Sequence, residues 1–508
     1  MATPADKLAE SLAALKSLQD AGTVAVRANS LTRVHRERLL KNGFIREVMK
    51  GWYIPARPDG ATGESTDWYA SFWSFCSAYL SERFDDQWCL GAEQSLALHT
   101  GNWTVPRQLL VRAPKGNNKP TGLLHDTSIF DVRLEIPAEA EVEKLEGLRV
   151  MQLPAALIHC SPGHFAAHPV DMRAALAMIQ DASDVLSRLL DGGHSRVAGR
   201  LAGAFRNIGR VQIADTIIDT MRSAGYTISE SDPFDDAPPV AIGARQMSPA
   251  VNRLRMTWGL MRNDVLARFP KPPGLPSDSA GYLHKVEDAY ATDAYNSLSI
   301  EGYKVSAELI ERVRSGDWNP DDASDREHRD ALAARGYWQA FQKVQESVGR
   351  IIGGESAGDV TEAGHSTWYR ELFGPSVVAG ILKPADLAGY RNGAVYIRHS
   401  MHVPPRSEAV RELMPAFFDQ LREEEEPAVR VVLGHFFFVY IHPYFDGNGR
   451  MGRFLMNAMM ASGGYPWTVI PVAERARYMA ALESASVKQD IKPFTDFLAE
   501  LVTRGKNA

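Results

Sequence analysis

Within the run His442-Pro443-Tyr444-Phe445-Asp446-Gly447-Asn448-Gly449-Arg450-Met451-Gly452-Arg453, one imidazole, one carboxylate and two guanidinium groups surround a pair of glycines. Gly447 and Gly449 permit backbone angles that turn successive amides toward one point. A helix starting there adds its N-terminal dipole, so the loop reads as an anion site. Arg450 and Arg453 are three residues apart and project from one face of the first helical turn. Their planar forks suit phosphate oxygens. Asp446 is placed to hold a magnesium ion that the phosphates share. His442, if neutral, can take a proton from an attacking hydroxyl. The chemistry that these groups suit is nucleotide transfer.

The flanking sequence supplies the scaffold. An apolar helix from Val431 to Ile441 delivers the chain to His442, and Pro443 stops it. The next helix carries Phe454, Leu455, Ala458 and Met459 and closes at Gly463-Gly464. His435, on the apolar helix, reads as a satisfied core residue. From residue 250 onward the pattern is helical nearly throughout. The exception is Ala394-Val395-Tyr396-Ile397-Arg398, a short strand signal before Pro404-Pro405. Glu423 to Glu426 read as a solvated turn with acids near a helix N-terminus, and the charged stretch 318–332 reads as solvated.

Further upstream, residues 1–22 show Leu8, Leu12, Leu15 and Leu18 at helical spacing. A helix from Leu31 to Asn42, then Gly43, then a hairpin from Phe44 to Ile54 is the order of a winged helix-turn-helix. Residues 65–225 mix strand signals (Leu109–Arg112, Leu148–Leu153) with several helices from Met172 to Ala224. Residues 227–249, rich in Pro, Asp and Ser, read as the linker. The expectation is a multidomain, mainly α protein: 1–60 winged helix-turn-helix, 61–226 an α/β then helical module, 227–249 linker, and 250–508 an all-α catalytic domain.

Composition agrees. A chain of 508 residues exceeds what one core usually organises. A net charge of -6 gives no global case for nucleic acid, and Cys76, Cys89 and Cys160 are too few and scattered for a disulfide framework or closed zinc site. No basic segment followed by an apolar core opens the sequence, and Val431–Ile441 is too short to span a bilayer. A cytoplasmic protein without a membrane span is expected.

The motif resembles the signature of the Fic family, His-Pro-Phe-x-(Asp/Glu)-Gly-Asn-Gly-Arg-x-x-Arg, with Tyr444 in place of Phe. The likeness covers roughly residues 285–503. It includes Gly389-Tyr390-Arg391 with Val395, Tyr396 and Ile397, similar to the family's β-hairpin flap that holds the target peptide. The resemblance implies transfer of AMP from ATP to a Ser, Thr or Tyr hydroxyl of a protein. His442 would be the general base and Asp446 the magnesium ligand. Gly447, Asn448 and Gly449 would cradle the α- and β-phosphates beside Arg450, with Arg453 on the γ-phosphate and Asn457 and Tyr478 at the adenine. Ser297-Leu-Ser-Ile-Glu301-Gly302, ending a helix that begins near Tyr282, resembles the family's inhibitory (Ser/Thr)-x-x-x-Glu-(Gly/Asn) element. By that likeness Glu301 competes with the γ-phosphate for Arg453, and Ser297 bonds nearby. In some relatives the same glutamate supports removal of AMP.

Residues 21–57 are basic, and Leu39–Ile54 resembles the winged-helix segment of AbiEi-type antitoxins, which are transcriptional regulators. That likeness implies DNA contacts through Arg33, Arg36, Arg38, Lys41 and Lys50. Two other readings stay open: a transfer from another nucleotide donor, and a DNA-binding regulator whose Fic core senses ATP or is held off by Glu301. A kinase-like transfer is disfavoured by the intact Gly447-Asn448-Gly449. The sequence leaves the target, the releasing signal and the oligomeric state open.

Overall fold

The computed structural model describes residues 3–58, 65–234, 248–317 and 328–507. Two compact units divide the chain: Met1–Arg253 with Tyr396–Val403, and Leu254–Val395 with Pro404–Ala508.

In the first unit, α1 (Pro4–Asp20) starts at a capping box, Thr3 accepting from Asp6 N while Asp6 accepts from Thr3 N. β1 (Val26–Arg27), α2 (Arg33–Lys41), β2 (Ile45–Met49) and β3 (Trp52–Pro55) follow, with the strands paired in the order β1-β3-β2. Leu15, Val26, Leu39, Ile45 and Tyr53 form its small core. β1 stands between the two helices and pairs antiparallel with β3 of the hairpin.

α3 (Thr66–Phe84) leads to β4 (Cys89–Leu90), α4 (Ala92–His99), β5 (Gln108–Arg112), β6 (Pro120–Gly122) and β7 (Ser128–Val132). These strands order β4-β5-β7-β6, with β5 and β7 parallel. β8 (Val142–Leu145) and β9 (Leu148–Met151) make a separate antiparallel pair. Six helices complete the unit: α5 (Leu153–His159), α6 (Pro162–Ala167), α7 (Pro169–Met178), α8 (Ser183–Asp191), α9 (Ser195–Asn207) and α10 (Val211–Ser223).

The expected linker is not all linker. Ile228 and Phe234 are buried in the core of these helices, the Arg173 guanidinium lies 4.7 Å from the Phe234 ring, and Asn207 donates to Asp232 (2.7 Å). Two apolar anchors outweigh a polar composition here; the remaining part, 235–247, lies outside the described residues.

The second unit is helical: α11 (Pro249–Arg268, whose first turn counts with the other unit), α12 (Ser279–Ile300), α13 (Ala307–Ser315), α14 (His328–Ile352), α15 (Ala357–Val378), α16 (Ser407–Glu423), α17 (Pro427–Ile441), α18 (Asn448–Ser462), α19 (Arg475–Lys488) and α20 (Lys492–Asn507). α17 packs on α18, and α14 packs on α12, α15 and α18. Most of the charged stretch 318–332 lies outside the described residues. The acidic turn before α17 departs from expectation: Glu424 is buried, accepting from Arg262 Nε (2.9 Å) and Trp258 Nε1 (3.2 Å). A cation and an indole from α11 make that burial tolerable. Among the described residues no helix is long and apolar enough to cross a membrane.

Candidate active site

α17 is predominantly apolar and buried along most of its length, and Phe436, Phe437 and Phe438 are all buried. It stops at His442, whose backbone is left-handed (φ 53°, ψ 59°), a conformation costing a non-glycine residue about 1–2 kcal/mol. Arg391 holds that turn. Its Nε donates to His442 O (2.7 Å), Nη1 to Gly393 O (2.9 Å), and Nη2 to Ile441 O (3.4 Å) and Pro405 O, while its own amide donates to Pro443 O (2.9 Å). One fully buried guanidinium thus satisfies carbonyls that a helix end leaves without partners.

The imidazole is oriented as well. Nδ1 lies 3.1 Å from Val439 O, an assignment that puts the proton on Nδ1 and leaves the Nε2 lone pair free to accept. Burial pushes the His442 pKa down to about 4, and nearby Arg391 adds to the shift, so the ring is neutral at pH 7.

The loop after His442 is pinned by Asn448, whose Oδ1 accepts from Tyr444 N (2.9 Å) and whose Nδ2 donates to Tyr444 O (2.8 Å). Tyr444 stacks on Tyr369 at 3.8 Å between centroids. Gly447 caps α18 at φ 79°, and a Cβ there would stand 2.6 Å from Phe373, so only glycine fits. The Asn448 side chain is therefore spent on the loop; what it can offer an anion is its amide, with those of Gly449 and Arg450.

Arg450 is 1% exposed and lies between the rings of Tyr303 (5.2 Å) and Phe373 (4.9 Å). Its Nε and Nη2, and Nη1 of Arg453, are buried without a hydrogen-bond partner. Unmatched charged donors cost free energy that an anion would recover.

α12 meets this site at its C-terminus. Gly302 (φ 90°) ends it in a Schellman turn, Tyr303 N donating to Leu298 O (3.1 Å) and Gly302 N to Ser299 O (3.0 Å). Arg453 Nε then donates to Ser297 Oγ (2.8 Å), and Nη2 to Ser297 O (3.1 Å) and Glu301 Oε1 (2.7 Å). Burial works against the Glu301 carboxylate, but Arg453 and Arg450 outweigh it and hold its pKa below the usual value. Its side chain keeps 28% exposure, so it can leave toward solvent.

Asp446 has a 67% exposed side chain; Oδ1 accepts from Gly447 N (2.6 Å) and lies 3.6 Å from Arg450 Nη2. Among the described residues no group of three or more His, Cys, Asp or Glu could hold a metal alone. One accessible carboxylate beside a phosphate cradle fits a magnesium ion that takes its other ligands from substrate and water.

Other expected site residues are placed differently. Asn457 donates to Arg453 O and Thr468 O and accepts from Thr468 N, so its amide is fully engaged. Tyr478 is buried with its hydroxyl 2.7 Å from His435 Nε2, and His435 Nδ1 lies 2.8 Å from Gly452 O. Both residues brace the core under α18 and leave no free polar group for a base. The expected flap strand does not form: Val395, Tyr396 and Ile397 run without a ladder, and Tyr396 and Ile397 count with the first unit, where Tyr396 Oη donates to Ala70 O (3.5 Å). A strand signal without a neighbouring edge gives extended chain only.

In the first unit, α2 exposes Arg33 and Lys41, and Lys50 is exposed in the β2–β3 turn. Arg33 pairs with Glu37 (2.6 Å). Arg36 donates to Ala28 O (2.6 Å) and lies over Tyr53, and Arg38 donates to Ser11 Oγ (2.8 Å), so these two hold the fold.

Sequence reasoning named Arg391 only as part of a motif and passed over Asp293, Tyr337, Tyr303 and Phe373. Asp293 had a signal: it lies two turns before Glu301, on the same face of α12.

Residues 367–460 match the Fic/DOC family. Two curated relatives, both called protein adenylyltransferase Fic, are 29% identical: that of Nematostella vectensis over 45% of this chain and 51% of its own length, and that of Drosophila melanogaster over 44% and 43%. The chain thus spans about half the length of the curated relatives it matches. A solved fragment of Fic-1 from C. elegans is 20% identical, with a TM-score of 0.36 over 67% of this chain and 90% of that one. α12 and Tyr478 lie outside the residues matched to the family.

Proposed function

We propose that this chain, whose residues 367–460 carry a Fic/DOC domain, transfers AMP from ATP to a hydroxyl side chain of a protein and is restrained by its own Glu301. The observation that carries the reading is Arg453, a buried cation beside the N-terminus of α18 that α12 occupies with a carboxylate where a phosphate would otherwise bind. The names of the curated relatives support the same activity.

In the reaction the target hydroxyl gives its proton to His442 Nε2 as its oxygen bonds to the α-phosphorus, and the bond to pyrophosphate breaks. The α18 amides, Arg450 and Arg453 hold the phosphates in line and receive the developing charge. A magnesium ion held by Asp446 would neutralise part of the phosphate charge. With Glu301 on Arg453, ATP loses its γ-phosphate contact and the α-phosphorus is misaligned. Glu301 would also be the group to orient a water against an AMP–protein bond. Buried free Cys76, Cys89 and Cys160 accord with a reducing, cytoplasmic setting.

The test is incorporation of α-labelled ATP, with magnesium, by wild type, Glu301→Gly and Glu301→Gly/His442→Ala. Label in the Glu301→Gly chain alone is expected. No label in any variant, with cell lysate as a source of targets, would overturn AMP transfer, and other labelled nucleotides would then identify a different donor.

A further inference from the structure

Asp293, Ser297 and Glu301 are spaced by four along α12 and share one stripe. Glu301 ends the stripe at Arg453. Asp293 begins it, 3% exposed, with Tyr337 of α14 donating from Oη to its Oδ2 (2.7 Å). Between them Ser297 accepts from Arg453 Nε (2.8 Å), and its hydroxyl interacts with that of Tyr337. Two hydrogen bonds, Arg453 to Ser297 and Tyr337 to Asp293, flank the interaction of the two hydroxyls and complete the relay. A buried cation and a buried carboxylate thereby stand at the two ends of one polar cluster that contains two hydroxyls.

The guanidinium is held at two edges by different means. Nε and one Nη2 hydrogen go to Ser297 and not to Glu301. The other Nη2 hydrogen goes to Glu301, and Nη1 has no partner. An anion that displaced Glu301 would therefore meet a fork already fixed in its plane. We propose that Asp293 is a positioning residue for Arg453, acting through Tyr337 and Ser297 to aim the guanidinium at the γ-phosphate once Glu301 has left. This rests on the nucleotide-transfer reading above.

The groups facing Asp293 are Tyr337 from α14, Arg453 from α18, the Trp467 indole from the segment after α18, Tyr290 and Ser297 from its own helix, and Glu301 beyond them. Burial raises the Asp293 pKa to about 6 against the pull of Tyr337 and Arg453. The relay therefore keeps its anionic end at neutral pH and loses it in mild acid.

The experiment uses the full chain carrying Glu301→Gly and His442→Ala, which cannot turn over, and measures ATP and AMP binding from about pH 5 to 8. Adding Asp293→Asn is expected to weaken ATP binding about tenfold at pH 7.5, the scale of one hydrogen bond to a charged group, with AMP changing less than about twofold. Tyr337→Phe, which keeps the ring and cuts the relay, is expected to do the same. The ATP preference of the Asp293 chain should fall near pH 6, and that fall should vanish in the Asp293→Asn chain; the ligand's own titration is common to both. Two folded variants that bind ATP as tightly as the parent, with the parent's pH trend, would overturn the positioning role alone. A parent that binds no ATP would overturn both this role and the transfer reading.

Discussion

The Glu301 carboxylate lies directly over Gly449: a methyl group on that glycine would overlap Oε1. The Glu301 side chain and the first turn of α18 therefore meet in one space, which a phosphate displacing Glu301 under the proposed function would fill. Gly449→Ala in the Glu301→Gly background should weaken ATP binding by about tenfold or more, a loss of about 1.4 kcal/mol. Titration calorimetry against the parent checks this; unchanged affinity would mean that phosphates bind elsewhere.

The pH dependence of turnover should reflect the low pKa of His442. His442, the proposed base, is neutral above about pH 4, so kcat at saturating ATP in Glu301→Gly should be flat from about pH 5.5 to 8 and fall only in stronger acid. An acid limb in kcat near the ordinary histidine value of 6.5 would show that the ring is solvated in the working enzyme.

Arg391→Met removes the side chain that bonds to the carbonyls of Ile441 and His442. Misplacing His442, the proposed base, should lower kcat about 10- to 100-fold with little change in ATP affinity. Arg391→Lys should recover part of the rate, since one cation can reach only some of these carbonyls. Equal losses in kcat and ATP binding would point to a collapsed domain instead.

His435 should make stability depend on pH. Burial holds its pKa near 3 in the folded chain against an ordinary 6.5. The unfolded chain takes up a proton below 6.5 that the folded chain refuses, so this stabilisation is complete above about 6.5 and declines as pH falls toward 3. His435→Gln should cost about 1–3 kcal/mol at neutral pH by disturbing the bonds to Gly452 and Tyr478. It should also flatten the fall in Tm between about pH 6.5 and 4; a parallel fall in both chains would rule His435 out as the cause.

A contact between the first unit and a DNA duplex remains a proposal, and the exposure pattern sharpens it. Alanine at Arg33, Lys41 or Lys50 should each reduce the salt slope of duplex binding by about 0.9. Arg36→Ala and Arg38→Ala should lower stability first, because their side chains hold Ala28 and Ser11. Binding indifferent to all three exposed residues would remove the regulator reading.

What the sequence disclosed and what it concealed divide along one physical line. The α17–loop–α18 passage was readable because Pro443, Gly447 and Gly463 punctuate it locally, and α12 ended where Gly302 allowed it to end. Partners far apart in sequence were hidden. Glu424 reads as a solvated acid until Arg262, 162 residues away, is found beside it. Asp293 needs Tyr337, 44 residues on, before it has a role. Asn457 and Tyr478 read as open to a ligand because nothing local reveals Thr468 or His435 against them. Ile228 and Phe234 looked like linker residues because only the folded α5–α10 core supplies a place to bury them.

The chain passes between its two units three times, at 253/254, 395/396 and 403/404. Met401 and Val403, from the short excursion, pack on the hydrophobic core around α3. No single proteolytic nick or cloning boundary can therefore free one unit intact from the other. A fragment ending near residue 253 would lack a segment that packs on its own core, and one beginning at 254 would carry that segment without its packing partner. Dissection of this protein calls for a circular permutant or for deletion of the excursion, not simple truncation.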